Sequence, residues 1–559
     1  MEIDTARILT ANLLDRVSAA SDGRTYRLDG AITQGELDAL NLLAGRASVP
    51  VSPSEPRATQ GLDHATSVTR TSETNSLAAV PIIGKAKLET AALVAEADPT
   101  VFACIDFGTA FSKAAVWKSD DSRPIPLDLE QAGSGTPGFT IPSSVYITGN
   151  SVFFGHRALE ESRRENNPAR ERFDSPKQCL SIDDPDDIDR ESVGVAIDPS
   201  QTFTRGDLLR LYLAYLTSCT AERMEAHGLS RHTQRRFAIP VWRGKQLESA
   251  SSLLRRSLLE AQVIADSVDP EVWGKGISIS FAKSLLNALP DLDAELIANS
   301  ETVLDHVLEP MAAAAGLTDH VRNKKARVLV ADIGAGTSDF GAYQFVLPAA
   351  GRARAHPFLN SESALKQAGN RLDEFLIRFI VERSGTPVGS DAAVRIAKFL
   401  MRDIRETKQT LFTVGSVFVS IPDFFDMTIT RDEFSQDPHV TQFGRTIGGQ
   451  IAKTIENAGA KNFTEDGVST YAILTGGGAG LPMIRDLFNA PFPTSSGDVS
   501  LRLVDATPDW ALDAGDDVLA IFPQLAVSSG GSSPDLIEVR SSVSDLTQAP
   551  RRVWGPRWT

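Results

Sequence analysis

Two segments of the sequence place an aspartate, a glycine turn, a hydroxyl group and a second charged group between apolar runs. The first, VFACIDFGTAFSKAAVW at residues 101–117, contains Asp106, Gly108, Thr109 and Lys113. A glycine lets backbone N–H groups approach an anion without a Cβ atom in the way, and a lysine on the returning strand supplies a cation. The segment therefore predicts a phosphate-binding β-hairpin with Asp106 facing a metal ion. Alone, such a turn is also common for purely structural reasons.

The second segment, RVLVADIGAGTSDFGAYQF at residues 327–345, repeats this plan. The residues of this segment that could take part in chemistry are Asp332, Gly334, Gly336, Thr337 and Asp339. Mg²⁺ retains several of its water molecules and takes few direct protein ligands. Together with Asp106, the carboxylates Asp332 and Asp339 therefore predict a magnesium site that is contacted largely through water. Asp332 or Asp339 could also orient an attacking water.

A third segment, TYAILTGGGAGLPMIRDLF at residues 470–488, runs from a buried strand into Gly476, Gly477 and Gly478 and then into a helix. Three glycines permit close approach by a flat ligand, although a plain strand-to-helix loop has the same pattern. The chain has neither a GxxxxGK[ST] loop nor a GxGxxG turn that opens a helix, so nucleotide-binding folds of those two kinds are not supported.

In this order, the three segments resemble the two phosphate motifs and the adenosine motif of the superfamily that joins actin, sugar kinases and the seventy-kilodalton heat-shock chaperones. The segments IPSSVYITGNSVFFGHRA at 141–158 and LEPMAAAAGL at 308–317 are similar to the chaperone branch. The resemblance covers residues 98–530. It implies an α/β, two-lobed actin-like ATPase fold with duplicated ribonuclease H-like lobes, each on a five-stranded mixed sheet, around a nucleotide cleft.

The resemblance also implies roles for single residues, with ATP or ADP and Mg²⁺ as cofactors. Glu309 matches a glutamate beside the metal-bound water, and Lys177 in FDSPK matches a lysine that reaches the γ-phosphate. Gly369 matches a residue near the ribose and phosphates, and Lys408 a residue of the adenine-pocket helix. The residues expected to be catalytic are Asp332, Glu309, Lys177 and Asp106.

The sequence departs from the family pattern at three positions of the expected nucleotide site. Arg405 stands where the family has glutamate, Gly480 replaces an arginine that packs on adenine, and Ala110 replaces a hydroxyl residue. After residue 530 nothing corresponds to the chaperones' peptide-binding domain. We therefore expect a slow, chaperone-like ATPase switch that acts through an unknown protein partner or the chain's own N-terminal module. The alternatives are a nucleotide-binding scaffold that has lost hydrolysis, an actin-like filament subunit and a small-molecule kinase, for which no catalytic-base motif is found.

Composition limits the classes of partner. The 559 residues include 42% hydrophobic and 23% charged residues, and the net charge of −16 disfavours binding to nucleic acid. Three scattered cysteines, Cys104, Cys179 and Cys219, predict neither a zinc site nor disulfides. The N-terminus does not resemble a signal peptide, and no long apolar run predicts membrane insertion, so a cytoplasmic location is expected.

Patterning also predicts the domain organisation. The predicted parts are a helical N-terminal module at 1–48, with helices at 5–20 and 33–44, a Ser/Thr/Pro-rich linker at 49–97, the ATPase domain at 98–530 and a disordered tail at 531–559. Within the ATPase domain we expect lobe I at about 98–325, lobe II at about 326–510, and a return to lobe I up to 530. Long helices are predicted at 206–226, 245–266 and 391–412, and a surface insertion at 241–307.

Overall fold

The computed structural model describes residues 84–539 with short gaps, and two short strands nearer the N-terminus. The gaps fall at 120–122, 130–137, 168, 182–184, 241–243, 317–324, 347–352, 423, 466, 506 and 535. The chain divides into two compact units, Met1–Val80 and Pro81–Thr559.

In the N-terminal unit, the structure describes β1 (Val17–Ala19) and β2 (Tyr26–Leu28), which pair antiparallel. The first of these strands lies inside the helix predicted for 5–20, so that prediction is wrong at residues 17–19. A short apolar run fits helix and strand equally well by periodicity, and pairing with β2 decides between them. The other residues of the predicted module, and the linker up to residue 83, lie outside the described residues.

The first lobe of the larger unit is built on a mixed sheet. Its strands are β3 (Val101–Asp106), β4 (Phe111–Lys118), β5 (Ile125–Pro126), β6 (Ile141–Pro142), β7 (Ser144–Ile147), β8 (Ser151–Phe154), β9 (Phe173–Asp174), β10 (Arg235–Ile239), β11 (Ile277–Ser278) and β12 (Val303–Leu308). Its helices are α1 (Gly155–Glu165), α2 (Arg205–Ala226), α3 (Gly244–Asp266), α4 (Pro270–Lys275), α5 (Ile279–Ala288), α6 (Ala294–Asn299) and α7 (Glu309–Ala313). In the mixed sheet, five strands lie in the order β12-β10-β3-β4-β5, and β6 also pairs with β4. The other four strands form a separate sheet in the order β11-β8-β7-β9.

The second lobe repeats this arrangement. Its strands are β13 (Lys325–Ile333), β14 (Ser338–Val346), β15 (Arg354–Pro357), β16 (Ser363–Leu365), β17 (Ser416–Ile421), β18 (Phe425–Thr430), β19 (Ser469–Thr475), β20 (Arg502–Val504) and β21 (Glu538–Val539). The helices in this part of the chain are α8 (Gly369–Arg383), α9 (Asp391–Leu400), α10 (Ile404–Val414), α11 (Arg431–Ser435), α12 (Pro438–Asn457), α13 (Pro482–Arg485), α14 (Asp509–Leu512) and α15 (Asp516–Ser532). In the main sheet, five strands lie in the order β20-β19-β13-β14-β15, with β16 on β14 and β21 on β15. Strands β17 and β18 form a separate antiparallel pair.

The two sheets share one connectivity. In each, the central strand pairs antiparallel with the strand that follows it, and parallel strands extend the sheet on its other side. The central strands β3 and β13 are almost entirely buried, which explains their near-continuous apolar sequences. The predicted fold class, α/β with two ribonuclease H-like lobes on mixed five-stranded sheets, is therefore confirmed.

Helix α15 returns to the first lobe and packs against α7, β3 and β4. The approach is close because Gly530 has no side chain: a Cβ atom there would overlap the carbonyl oxygen of Ala312. The alanine-rich run of α7 thus serves packing, as small residues between elements usually do.

Several of the boundaries predicted from the sequence differ from those in the structure. Helices α2 and α3 match the predictions at 206–226 and 245–266, but the third predicted helix is interrupted between α9 and α10. Helix α3 lies against α2 with Leu254 and Leu258 in the core, so this part of the predicted surface insertion is buried. The core also includes Leu93, from the predicted linker, and the second sheet includes β21, from the predicted tail.

No helix in the described part of the chain is both long and apolar enough to cross a membrane.

Candidate functional site

A cavity of about 340 Å³ has walls from both lobes. It is lined by every residue that the sequence proposed as catalytic or cofactor-binding except Gly336. The proposed residues in its wall are Asp106, Gly108, Thr109, Lys113, Lys177, Glu309, Asp332, Gly334, Thr337, Asp339, Gly369, Lys408, Gly476, Gly477 and Gly478. Gly336 faces the opposite hairpin, where an added Cβ atom would lie 3.0 Å from the Thr109 Cγ2 atom. The two predicted hairpin turns therefore meet at this cavity.

The first turn is held by hydroxyl groups beneath it. The Ser143 hydroxyl donates to the carbonyl oxygen of Gly108 at 2.7 Å, and the Ser143 amide donates to that of Ala110 at 2.8 Å. The Tyr212 hydroxyl, on α2, donates to the Ser112 Oγ atom at 2.9 Å. Because these groups are buried, their hydrogen bonds fix the turn in one position.

The second turn is held by backbone hydrogen bonds from two other segments. The Gly369 amide donates to the Gly334 carbonyl at 3.0 Å, and the Asn370 amide to the Ala335 carbonyl at 2.8 Å. On the other side, the Gly478 amide donates to the Ile333 carbonyl at 2.9 Å. Three segments that are distant in sequence thus form one continuous backbone surface at this end of the cavity.

The glycine loop after β19 requires glycine for two reasons. Gly476 has a φ of 79°, in the left-handed region, and a Cβ atom there would overlap the Asp332 carboxylate. A Cβ atom on Gly478 would overlap the Ile333 side chain. The loop can therefore lie directly against the second hairpin only because Gly476 and Gly478 carry no side chains.

Four buried carboxylates line the cavity: those of Asp106, Glu309, Asp332 and Asp339. Two of them have lysine partners. The Lys113 Nζ atom lies 2.9 Å from the Asp106 Oδ2 atom, and the Lys177 Nζ atom lies 2.6 Å from the Glu309 Oε1 atom.

This leaves two carboxylates, those of Asp332 and Asp339, without a salt-bridge partner among the described residues. With all four carboxylates ionised and both lysines protonated, the formal charge of this group is −2, which a divalent cation would neutralise.

The pKa values of Asp332, Asp339 and Lys177 reflect the same excess of negative charge. Burial, and then the charges of Glu309, Asp339 and Asp106, raise the pKa of Asp332 well above its usual range. Burial, and then the charge of Glu309, raise the pKa of Asp339 to about 6. Burial alone would lower the pKa of Lys177, but Glu309 and Asp106 outweigh it and raise that pKa. Carboxylates in such surroundings bind a proton or a cation more strongly than carboxylates in water do.

The geometry limits how a metal ion would be held. In the part of the chain that the structure describes, no group of three or more His, Cys, Asp or Glu side chains is close enough to ligate one metal ion directly. These residues suit a hydrated Mg²⁺ ion whose own water molecules fill the space between the ion and the carboxylates, because Mg²⁺ loses its hydration waters reluctantly. Asp106, Asp332 and Asp339 are the carboxylates that would contact those waters.

Helix α10 forms the wall on the other side of the cavity. The residues of this helix in the wall are Arg405, Lys408, Gln409, Phe412 and Thr413. Their spacing of i, i+3, i+4, i+7 and i+8 places them on one helix face. The sequence identified only Lys408 as a site residue, although this periodicity was a usable signal for the others.

The two cations of this wall are partnered. The Lys408 Nζ atom lies 2.7 Å from the Asp373 Oδ1 atom and donates to the Gly369 carbonyl oxygen at 2.7 Å. The Arg405 Nη2 atom donates to the Ser175 Oγ atom at 3.0 Å. Since Ser175 belongs to the first lobe, Arg405 joins the two lobes at the edge of the cavity.

Helix α15 supplies a further part of the wall that sequence reasoning missed. Its residues there are Ala520, Ile521, Pro523, Gln524 and Val527. The segment is predominantly apolar and has no motif, so only the tertiary fold brings it to the cavity.

A group of polar contacts outside the cavity, which we call the interlobe clasp, also joins the lobes. Arg163 of α1 lies 2.5 Å from the Asp403 carboxylate and 2.5 Å from that of Glu406. Nearby, Arg172 donates to the carbonyl oxygen of Arg402 at 3.1 Å. Glu406 therefore faces the first lobe from the side of α10 that lies outside the cavity wall.

Two of the departures from the family pattern also lie in the wall, at Ala110 and Gly480. A Cβ atom added to Gly480 would meet nothing within 4 Å, so this edge of the cavity is open. Comparison of the chain with models of known protein families finds no match.

Proposed function

We propose that the protein binds ATP with Mg²⁺ in the cavity between its lobes and hydrolyses it slowly, as a chaperone-like conformational switch. The observation that supports this most is the meeting of two glycine hairpins over four buried carboxylates and two lysines. Backbone N–H groups and lysines suit a polyphosphate, whereas carboxylates suit the metal ion that accompanies it.

Each side chain has a defined task in this proposal. Phosphoryl transfer depends mainly on positioning and on electrostatic stabilisation of the transferring group. Lys113 and Lys177 lie where they could exchange their carboxylate partners for phosphate oxygens. Glu309 and Asp332 would then orient the attacking water. Bound Mg²⁺ would supply charge neutralisation between the phosphates.

Nucleotide state would be transmitted through lobe closure, because both lobes contribute to the cavity and to the interlobe clasp. The recipient would be a partner protein or the N-terminal unit.

One observation favours an alternative, a nucleotide-binding scaffold without hydrolysis. The Lys177–Glu309 ion pair, at 2.6 Å, occupies both side chains. If a bound nucleotide did not separate this pair, neither side chain would be available for chemistry.

The proposal is tested by isothermal titration calorimetry of the full-length protein with ATP, with and without Mg²⁺. Gly477 lines the cavity, and a Cβ atom added there meets nothing within 4 Å, so we expect Gly477→Phe to place a bulky side chain at the cavity without displacing the loop. The matched control is Gly149→Phe, at an exposed position that also has open space and lies outside the cavity wall. We expect Mg²⁺-dependent binding that is lost in Gly477→Phe and retained in Gly149→Phe. Absence of binding to the unmodified protein, or equal binding by both variants, would refute the site.

A further inference from the structure

The face of α10 that lines the cavity is positively charged at its N-terminal end and uncharged at its C-terminal end. Arg405 and Lys408 occupy its N-terminal part, and the uncharged Gln409, Phe412 and Thr413 its C-terminal part. At 1.5 Å per residue, positions 405 and 413 are roughly 12 Å apart along the helix axis. A ligand whose phosphates lie at the hairpins can therefore extend a flat ring system along the uncharged part.

The uncharged part is open to solvent. Gln409 and Thr413 are exposed and Phe412 is half-buried, whereas the carboxylates at the hairpins are buried. The Gln409 side-chain amide makes no hydrogen bond to another described residue. The glycines Gly477 and Gly480 of the same cavity are exposed too, with no atom within 4 Å of an added Cβ.

Openness determines how well a site discriminates between bases. A site rejects the wrong ligand strongly when its own polar groups are buried and left unpaired by that ligand. The exposed Gln409 side chain stays hydrated whichever base is present, and the Thr413 hydroxyl already donates to the Gln409 carbonyl oxygen at 2.8 Å, so a mismatch costs little. Phe412 lines the cavity with a half-buried aromatic ring, and stacking on an aromatic ring tolerates every base.

We infer that the cavity selects the polyphosphate and not the base, so that it takes nucleoside triphosphates of all four common bases with similar affinity. This inference rests on the proposed nucleotide function and specifies its ligand class. The buried hairpin end supplies most of the selectivity, and the α10 end supplies base-independent stacking.

The test is competition of ATP, GTP, CTP, UTP and inorganic tripolyphosphate, each with Mg²⁺, against a fluorescent ATP analogue on the full-length protein. We expect the four nucleotides to have dissociation constants within tenfold of one another, and tripolyphosphate to compete as well. A preference of more than tenfold for one base overturns the inference while leaving the nucleotide site standing. If neither nucleotides nor tripolyphosphate bind, the proposed function fails with it.

A variant separates stacking from phosphate binding. Phe412→Leu keeps an apolar side chain beside Phe434, which Phe412 approaches with ring centroids 6.1 Å apart, but removes the aromatic face. Since base stacking contributes about 1 kcal/mol or more, we expect all four nucleotides to weaken alike, by about fivefold or more, with tripolyphosphate unchanged. Weakening confined to one base would contradict base-independent stacking.

Discussion

The raised pKa of Asp339 makes a specific prediction about stability. Its carboxylate is buried, and its pKa rises from 3.8 to about 6 on folding, first because of burial and then because of Glu309. A carboxyl whose pKa is raised binds its proton more tightly in the folded state, so its contribution to stability falls as pH rises between these two values. Above pH 6 the ionised group destabilises the folded protein when no metal ion is bound.

The size of this effect follows from the two pKa values. One pKa unit corresponds to about 1.4 kcal/mol, so a rise from 3.8 to about 6 costs about 3 kcal/mol at pH 8. At pH 5, where the folded state is largely protonated, the cost is about half as large. Asp339→Asn removes the charge and leaves an oxygen that can accept the 2.9 Å hydrogen bond from the Thr337 hydroxyl. We therefore expect the variant to be more stable than the unmodified protein at pH 8, by up to about 3 kcal/mol.

Urea unfolding followed by circular dichroism, in EDTA and without nucleotide, measures this difference at pH 8 and pH 5. Asp426→Asn, at an exposed carboxylate on β18, is the matched control and should change little at either pH. A loss of stability in Asp339→Asn at pH 8, or the same gain at both pH values, would refute the electrostatic reasoning.

Three further substitutions test the ion pairs and the packing. Lys177→Met leaves buried Glu309 without its partner, which costs about 3–5 kcal/mol of stability. We therefore expect unfolding at a lower urea concentration, together with lost ATP turnover. Arg163→Ala removes both ion pairs of the interlobe clasp. Each partly exposed pair contributes up to about 1 kcal/mol. Because we expect the clasp to hold the lobes closed around the nucleotide, stopped-flow should detect nucleotide release up to about 30-fold faster in this variant. Gly530→Ala forces a Cβ atom against α7, and thermal unfolding should show destabilisation of about 1–3 kcal/mol.

Each of these has a control. Glu309→Gln combined with Lys177→Met should recover stability but not turnover, because the unpaired charge is gone while the chemistry is still absent. Arg164→Ala, which removes only a pair within α1, should leave nucleotide release unchanged. Gly449→Ala, in α12 with open space around it, should stabilise the protein slightly. If Gly530→Ala behaved like Gly449→Ala, the close packing of α15 on α7 would be disproved.

The hairpins could be predicted because their determinants are local. An apolar strand, a glycine turn and a returning strand lie within 20 residues in each case, and no distant contact is needed to recognise them. The same holds for α2, whose start is marked by the capping box of Thr204 and Asp207. Convergence of the two hairpins on one cavity followed from the resemblance and not from periodicity.

The features that sequence reasoning missed depend on tertiary contacts. Val17–Ala19 is a strand because of its partner β2, and β21 belongs to the second sheet because β15 is available to pair with it. Residues of α15 reach the cavity only because the helix crosses back to the first lobe. Arg405 was noticed only as a departure from a family pattern, whereas its contact with Ser175 across the lobes requires the fold.

The proposed ATP hydrolysis is tested most directly by measuring ATP turnover of the full-length protein with Mg²⁺ beside that of Asp332→Asn. Asp332 lies in the cavity between the two hairpins and the glycine loop, and it has no salt-bridge partner in the described part of the chain. We predict slow hydrolysis by the unmodified protein and its loss in the variant, with nucleotide binding retained in both. Equal turnover by the two proteins would contradict the assigned role of Asp332, and the absence of any turnover alongside tight binding would favour the scaffold over the ATPase.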